Sequence, residues 1–124
     1  MFEWIPADLR GIRCIVASLV SAKDHDADVR LRALVGAIAS RGGQVVGTLV
    51  QRRGVSRARG PGGVHKMTAP LTAATLFGSG KVLELAQLVS DASATLVVVA
   101  NALKTSQRDR LQDAVHCRVV APTG

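Results

Sequence analysis

Aromatic side chains are almost missing from this chain: Phe2, Trp4 and Phe77 are all it has, and there is no tyrosine. That scarcity excludes the stacking platform on which many proteins hold single-stranded nucleic acid. It also leaves the core to valine, leucine and alanine, as in parallel sheets covered on both faces. Long apolar runs are missing too. The most apolar segment, Leu96 to Ala100, is far shorter than the roughly 20 residues needed to cross a bilayer. The first residues include acidic Glu3 and Asp8 and no basic leader, so a soluble, cytoplasmic protein with no membrane partner is expected. Cysteine is confined to Cys14 and Cys117, each beside a β-branched run; both are expected reduced and buried in strands. The histidines, His25, His65 and His116, are scattered and match no metal-ligand spacing, so no metal is expected.

Acidic residues are absent over a long interval. Between Val29 and Val82 there is no Asp or Glu, whereas Arg30, Arg32, Arg41, Arg52, Arg53, Arg57, Arg59, Lys66 and Lys81 all fall inside it. The net charge of +7 is therefore concentrated, and a one-signed stretch of this kind is the footprint of a polyanion partner.

The remaining pattern reads as alternating strands and helices. "IRCIVASLV", residues 12–20, is a short β-branched run and predicts a buried strand. Asp24 and Asp26 offer N-caps for a helix in which Ala27, Leu31, Leu34, Val35 and Ile38 recur at helical spacing, ending at Arg41 to Gly43. "QVVGTLVQ" predicts a second strand, and the helix between is long enough for a right-handed crossover. "RRGVSRARGPGGVHKMTAPLTAA", Arg52 to Ala74, has four glycines, two prolines and no apolar periodicity; it predicts a long basic loop. A very short strand at "ATLF", a helix from Lys81 with Ser79 as its cap, a strand at "ATLVVVAN", a helix capped by Thr105 or Ser106, and a last strand at "CRVVA" complete the chain. The expected fold is α/β: one domain over residues 1–124, three layers, a mostly parallel sheet with helices on both faces and the loop 52–74.

"GSGK", Gly78 to Lys81, suggests a phosphate loop, yet it lacks the rest of one. A Walker A loop needs glycine where Thr75 stands and a Ser or Thr where Val82 stands; a dinucleotide fingerprint needs glycine at Leu83. What remains is a strand-to-helix turn at Gly78, Ser79 and Gly80 whose amides, with Lys81, suit an anion. The cluster Asp24, His25, Asp26 and Asp28 is local and explained by capping, and Ser56, Ser79 and Ser106 have no evident His and Asp partners. No catalytic residues are assigned, and no enzyme activity is expected.

Four stretches taken together, "GGQVVGTLVQRR", "TLFGSGKVLELAQLV", "ATLVVVANALKTSQRDRLQDAV" and "CRVV", resemble the N-terminal domain of the HflX-type GTPases over residues 12–120. The shared positions are Val50 to Arg53, an aromatic-Gly-x-Gly-Lys-Val-x-Glu-Leu turn at Phe77 to Leu85, and Leu103, Gln107 and Leu111. The resemblance implies an α/β subdomain, linked to RNA and adenine nucleotides, that precedes a helical hairpin and a GTPase domain in full-length members, which bind the large ribosomal subunit and use GTP. Ala121, Pro122 and Thr123 replace the family's Asp-Arg-Thr, the hairpin and the GTPase motifs are lacking, and the basic loop is longer than usual, so GTP hydrolysis is not carried over.

Three functions follow as expectations. The first is a non-enzymatic RNA- or ribosome-binding module in which Arg52, Arg53, Arg57, Arg59, His65, Lys66 and Lys81 meet phosphates. The second is an accessory protein that takes a nucleotide phosphate or small anion, with no other cofactor, at Gly78, Ser79, Gly80 and Lys81. The third is a scaffold or regulator acting through a protein partner. Surface left uncovered by the missing hairpin, together with an open sheet edge, predicts a homodimer.

Overall fold

The computed structural model describes residues 2–21, 25–53 and 79–122. Within them the chain runs β1 (Arg13–Ser21), α1 (Ala27–Ser40), β2 (Gln44–Arg53), α2 (Ser79–Ala92), β3 (Leu96–Val99), α3 (Thr105–Val115) and β4 (Arg118–Val120). All strand pairings are parallel, in the order β2-β1-β3-β4. The expected α/β architecture is therefore present, with an entirely parallel sheet among the described residues.

Alternation along β1 builds the three layers. Cys14 and Val16 point to one face, where they join Leu34 and Ile38 of α1, Leu96 and Val98 of β3, and Ile5 and Leu9 of the N-terminal segment. Ile15, Ala17 and Leu19 point to the other, where they meet Leu85 and Val89 of α2 and Leu111 and Val115 of α3. The sidedness follows from chain direction. From β1 the sheet grows one way to β2 and the other way to β3 and β4, so right-handed crossovers place α1 on one face and α2 and α3 on the other. Cys14 and Cys117 belong to opposite faces, and β3 lies between β1, which holds Cys14, and β4, which Cys117 precedes. Both are free thiols, and burial pushes both upward in pKa. Cys117 is half-buried and sits just before β4 rather than within it.

Helix boundaries depart from the expectation at two places. Ser79 is the first residue of α2 and not a residue preceding it. The N-cap of α3 is Lys104, not Thr105 or Ser106; its backbone N–H donates to Gln107 Oε1 at 2.9 Å, so a side chain from the first turn reaches back and closes the helix start. β2 also extends past Gln51. Arg52 and Arg53 pair with Val20 and Ser21, and the ladder holds them extended although nothing in their chemistry favours a strand. The segment 54–74, the "ATLF" stretch and Gly78 lie outside the described residues.

The amino edge of the sheet takes up part of the positive charge. Arg13 Nε donates to the carbonyl of Ala92 at 2.8 Å, at the end of α2 where the helix dipole is negative. Arg41 donates to the carbonyls of Ala37 at 3.0 Å and Phe2 at 3.3 Å, which ties the N-terminal segment to the end of α1. Replacing Arg13 by Ala leaves the Ala92 carbonyl without that donor, and should cost about 1–3 kcal/mol in urea unfolding. α3 ends on His116 in the left-handed conformation, φ 60°, its N–H donating to the carbonyl of Gln112 at 2.8 Å. Glycine adopts that φ without Cβ strain. His116→Gly should therefore raise stability by about 0.5–1 kcal/mol, read as a higher melting temperature.

At the sheet's outer limits, β2 has one neighbour among the described residues. Its pairing with β1 shifts register between Cys14 and Ile15, and it closes on two arginines. A bulge and terminal charge both discourage edge-to-edge pairing.

Candidate nucleic-acid interface

The topology gathers the starts of all three helices at one edge. Each strand ends at the sheet's carboxyl edge, and each helix runs back towards the amino edge. For α2 the anchors are explicit: Thr95 N–H donates to the carbonyl of Arg13 at 2.9 Å and Arg13 caps Ala92, so the helix finishes at the amino edge. Its 14 residues span about 21 Å at 1.5 Å each, which brings Ser79, Gly80 and Lys81 to the carboxyl edge. α3 starts there as well, since Leu103 N–H donates to the carbonyl of Pro122 at 2.9 Å, just beyond β4. β2 delivers the positions of Arg52 and Arg53 to the same edge.

Of the residues predicted to meet phosphates, the structure places Arg52 and Arg53 at the end of β2 and Lys81 in the first turn of α2. Arg57, Arg59, His65, Lys66 and Gly78 lie outside the described residues. Lys104, exposed at the N-cap of α3, joins this edge and was not singled out from the sequence; the signal available was its place immediately before the Thr-Ser-Gln helix start. Helix N-termini carry partial positive charge and free N–H groups, so basic residues beside them add to the same sign of potential. α1 is the exception. Asp26 at its N-cap and Asp28 in its first turn make the α1 side of this edge acidic, and leave the α2–α3 side as the basic one.

Lys81 is not wholly available to a ligand. Its Nζ lies 3.2 Å from Glu84 Oε1 in an exposed i,i+3 pair. Gly80 is exposed, and a Cβ built there would meet nothing within 4 Å. Neither conformation nor crowding requires glycine at position 80, which is unlike a loop shaped around a phosphate.

The pieces of the recurring pattern have structural reasons. In Lys-Val-x-Glu-Leu, Lys81 pairs with Glu84, and Leu85 is fully buried against the sheet. In Leu-x-x-x-Gln-x-x-x-Leu, Leu103 and Leu111 are core residues and Gln107 closes the start of α3. Among the described residues no three His, Cys, Asp or Glu side chains gather as metal ligands, and no helix is long and apolar enough to cross a membrane.

No curated protein matches the chain. A family profile does: that of the GTP-binding GTPase N-terminal domain, over residues 62–124. The matched part carries α2, β3, α3 and β4, with both patterns just described, while β1, α1 and β2 lie outside it. With half of its length matched and with those patterns seated in the core and at the helix starts, the chain belongs to the GTP-binding GTPase N-terminal family.

Proposed function

We propose that this protein is a non-enzymatic RNA-associated module that presents the α2–α3 side of its carboxyl edge to the phosphate backbone, in the company of a GTPase. Membership of the family points to association with a GTPase. The observation that supports RNA as partner is the convergence on one edge of Arg52 and Arg53, which end β2, with Lys81 and Lys104, which begin α2 and α3. The basic run Arg57, Arg59, His65 and Lys66 follows directly from β2 in sequence. Contacts of this kind supply affinity through counterion release and read little sequence.

The reading is tested by fluorescence anisotropy of a labelled ribosomal RNA fragment at low and moderate salt. Binding that weakens steeply as salt rises is the expected result. Absence of binding at low salt would refute it.

A further inference from the structure

In doubly wound parallel sheets, ligands settle outside the carboxyl ends of the strands where neighbouring strands send their connections to opposite faces. Here that point lies between β1, which leads to α1 on one face, and β3, which leads to α3 on the other. It is filled from within the chain. Asn101 Oδ1 accepts the N–H of Leu19 at 2.7 Å, and Asn101 Nδ2 donates to the carbonyl of Leu19 at 2.8 Å. The main-chain ladder ends one step earlier, where Ala100 N–H donates to the carbonyl of Ala17 at 2.9 Å. The side-chain amide thus stands where the backbone of a longer β3 would stand, and adds one rung across the gap. Leu19 and Leu103 are both buried and belong to the same core cluster.

We propose that Asn101 closes the β1/β3 junction and so excludes phosphate ligands from the place where this class of sheet usually binds them. An amide is the side-chain group suited to the task, because one donor and one acceptor together match the N–H and C=O of a single residue. With its N–H given to Asn101 Oδ1, Leu19 has no donor left for an anion, and the amide stands where a phosphate would have to approach that N–H. Small phosphate compounds are thereby selected against, and a polyanion can engage this edge only from outside. The inference stands on the Asn101–Leu19 geometry and holds whether or not the basic edge binds RNA.

Nuclear magnetic resonance of the uniformly labelled protein tests it, with inorganic pyrophosphate as probe. In the wild type, pyrophosphate should leave the Leu19 amide and the Asn101 side-chain amide unmoved. In Asn101→Ala the Leu19 amide should exchange with solvent at least about tenfold faster, as a locally opened rung does, and should shift on adding pyrophosphate. A wild-type shift at Leu19 would show the junction open and overturn the proposal. Unchanged exchange in the variant, or no pyrophosphate shift in either protein, would overturn the role given to Asn101.

Asn101→Asp serves if the alanine variant fails to fold. A neutral carboxyl group can donate and accept as the amide does, whereas a carboxylate can only accept and would face the Leu19 carbonyl. Its pKa should be raised above the ordinary value of about 3.9. Protection of Leu19, relative to wild type at the same pH, should be present below that ordinary value and lost as pH rises through the raised one. A pH-independent ratio near one would count against the closure.

Discussion

Replacing Arg52, Arg53, Arg57 and Arg59 together by Ala is expected to remove most RNA binding while leaving the fold in place. The net charge falls from +7 to +3, since four positive charges are lost. Each phosphate contact contributes about 0.7–0.9 to the slope of log K against log salt concentration. If all four arginines make such contacts, the slope should fall by about 3, and affinity at low salt should drop at least about a hundredfold. Lys81→Ala should have a smaller effect, about threefold, because Glu84 already shares that charge. Anisotropy titrations at two salt concentrations, with circular dichroism as the fold control, decide the matter. Equal affinity in variant and wild type, or an unchanged salt slope, would move the RNA contact off this edge.

The largest stability loss is expected at Leu85. This side chain is fully buried between α2 and the sheet, beside Ile15, Val97 and Leu111. Leu85→Ala removes apolar contacts and leaves a cavity that the surrounding β-branched residues fill poorly, at a cost of about 2–5 kcal/mol. Domains of this size are stable by about 5–15 kcal/mol, so the urea midpoint should fall by about 1–3 M. Leu83, two residues away on the same helix, is 72% exposed. Leu83→Ala should change stability by no more than about 0.5 kcal/mol. Equal midpoints for the two variants would mean that α2 does not present Leu85 to the sheet. The comparison also probes the Glu-Leu pair of the Lys-Val-x-Glu-Leu stretch, in which exposed Glu84 is followed by buried Leu85.

Part of this architecture could be read from composition and spacing. β1 and β3 are apolar runs too short for helices and too uniform for a one-sided strand, which is what burial on both faces demands. α1 was legible because Leu34 and Ile38, at i and i+4, sit on one stripe, and both are buried. α3 was legible from Leu111 and Val115 in the same way. The helix starts were read less well. Thr105 and Ser106 are the better capping residues in isolation, yet Lys104 occupies the cap because Gln107 reaches back to its N–H.

The candidate site was only partly legible. Its basic residues stand out because no acidic residue intervenes between Val29 and Val82. Nothing in that run shows to which edge each arginine is carried: Arg41 bonds carbonyls at the amino edge, whereas β2 carries the positions of Arg52 and Arg53 to the opposite edge. Lys104 and Asn101 went unnoticed for a related reason. One acquires its place from the direction of α3, and the other from a partner 82 residues away.

The amino-acid sequence by itself determined the class of fold, the order of strands and helices along the chain, and the excess of positive charge. Those are local properties, set by side-chain volume, β-branching and the period of the apolar residues. Only the tertiary structure decided the strand order, the face on which each helix lies, and which charges meet at one edge. It also decided that Asn101 fills the β1/β3 junction. These outcomes depend on hydrogen bonds and packing between residues far apart in the chain, and no local period encodes them.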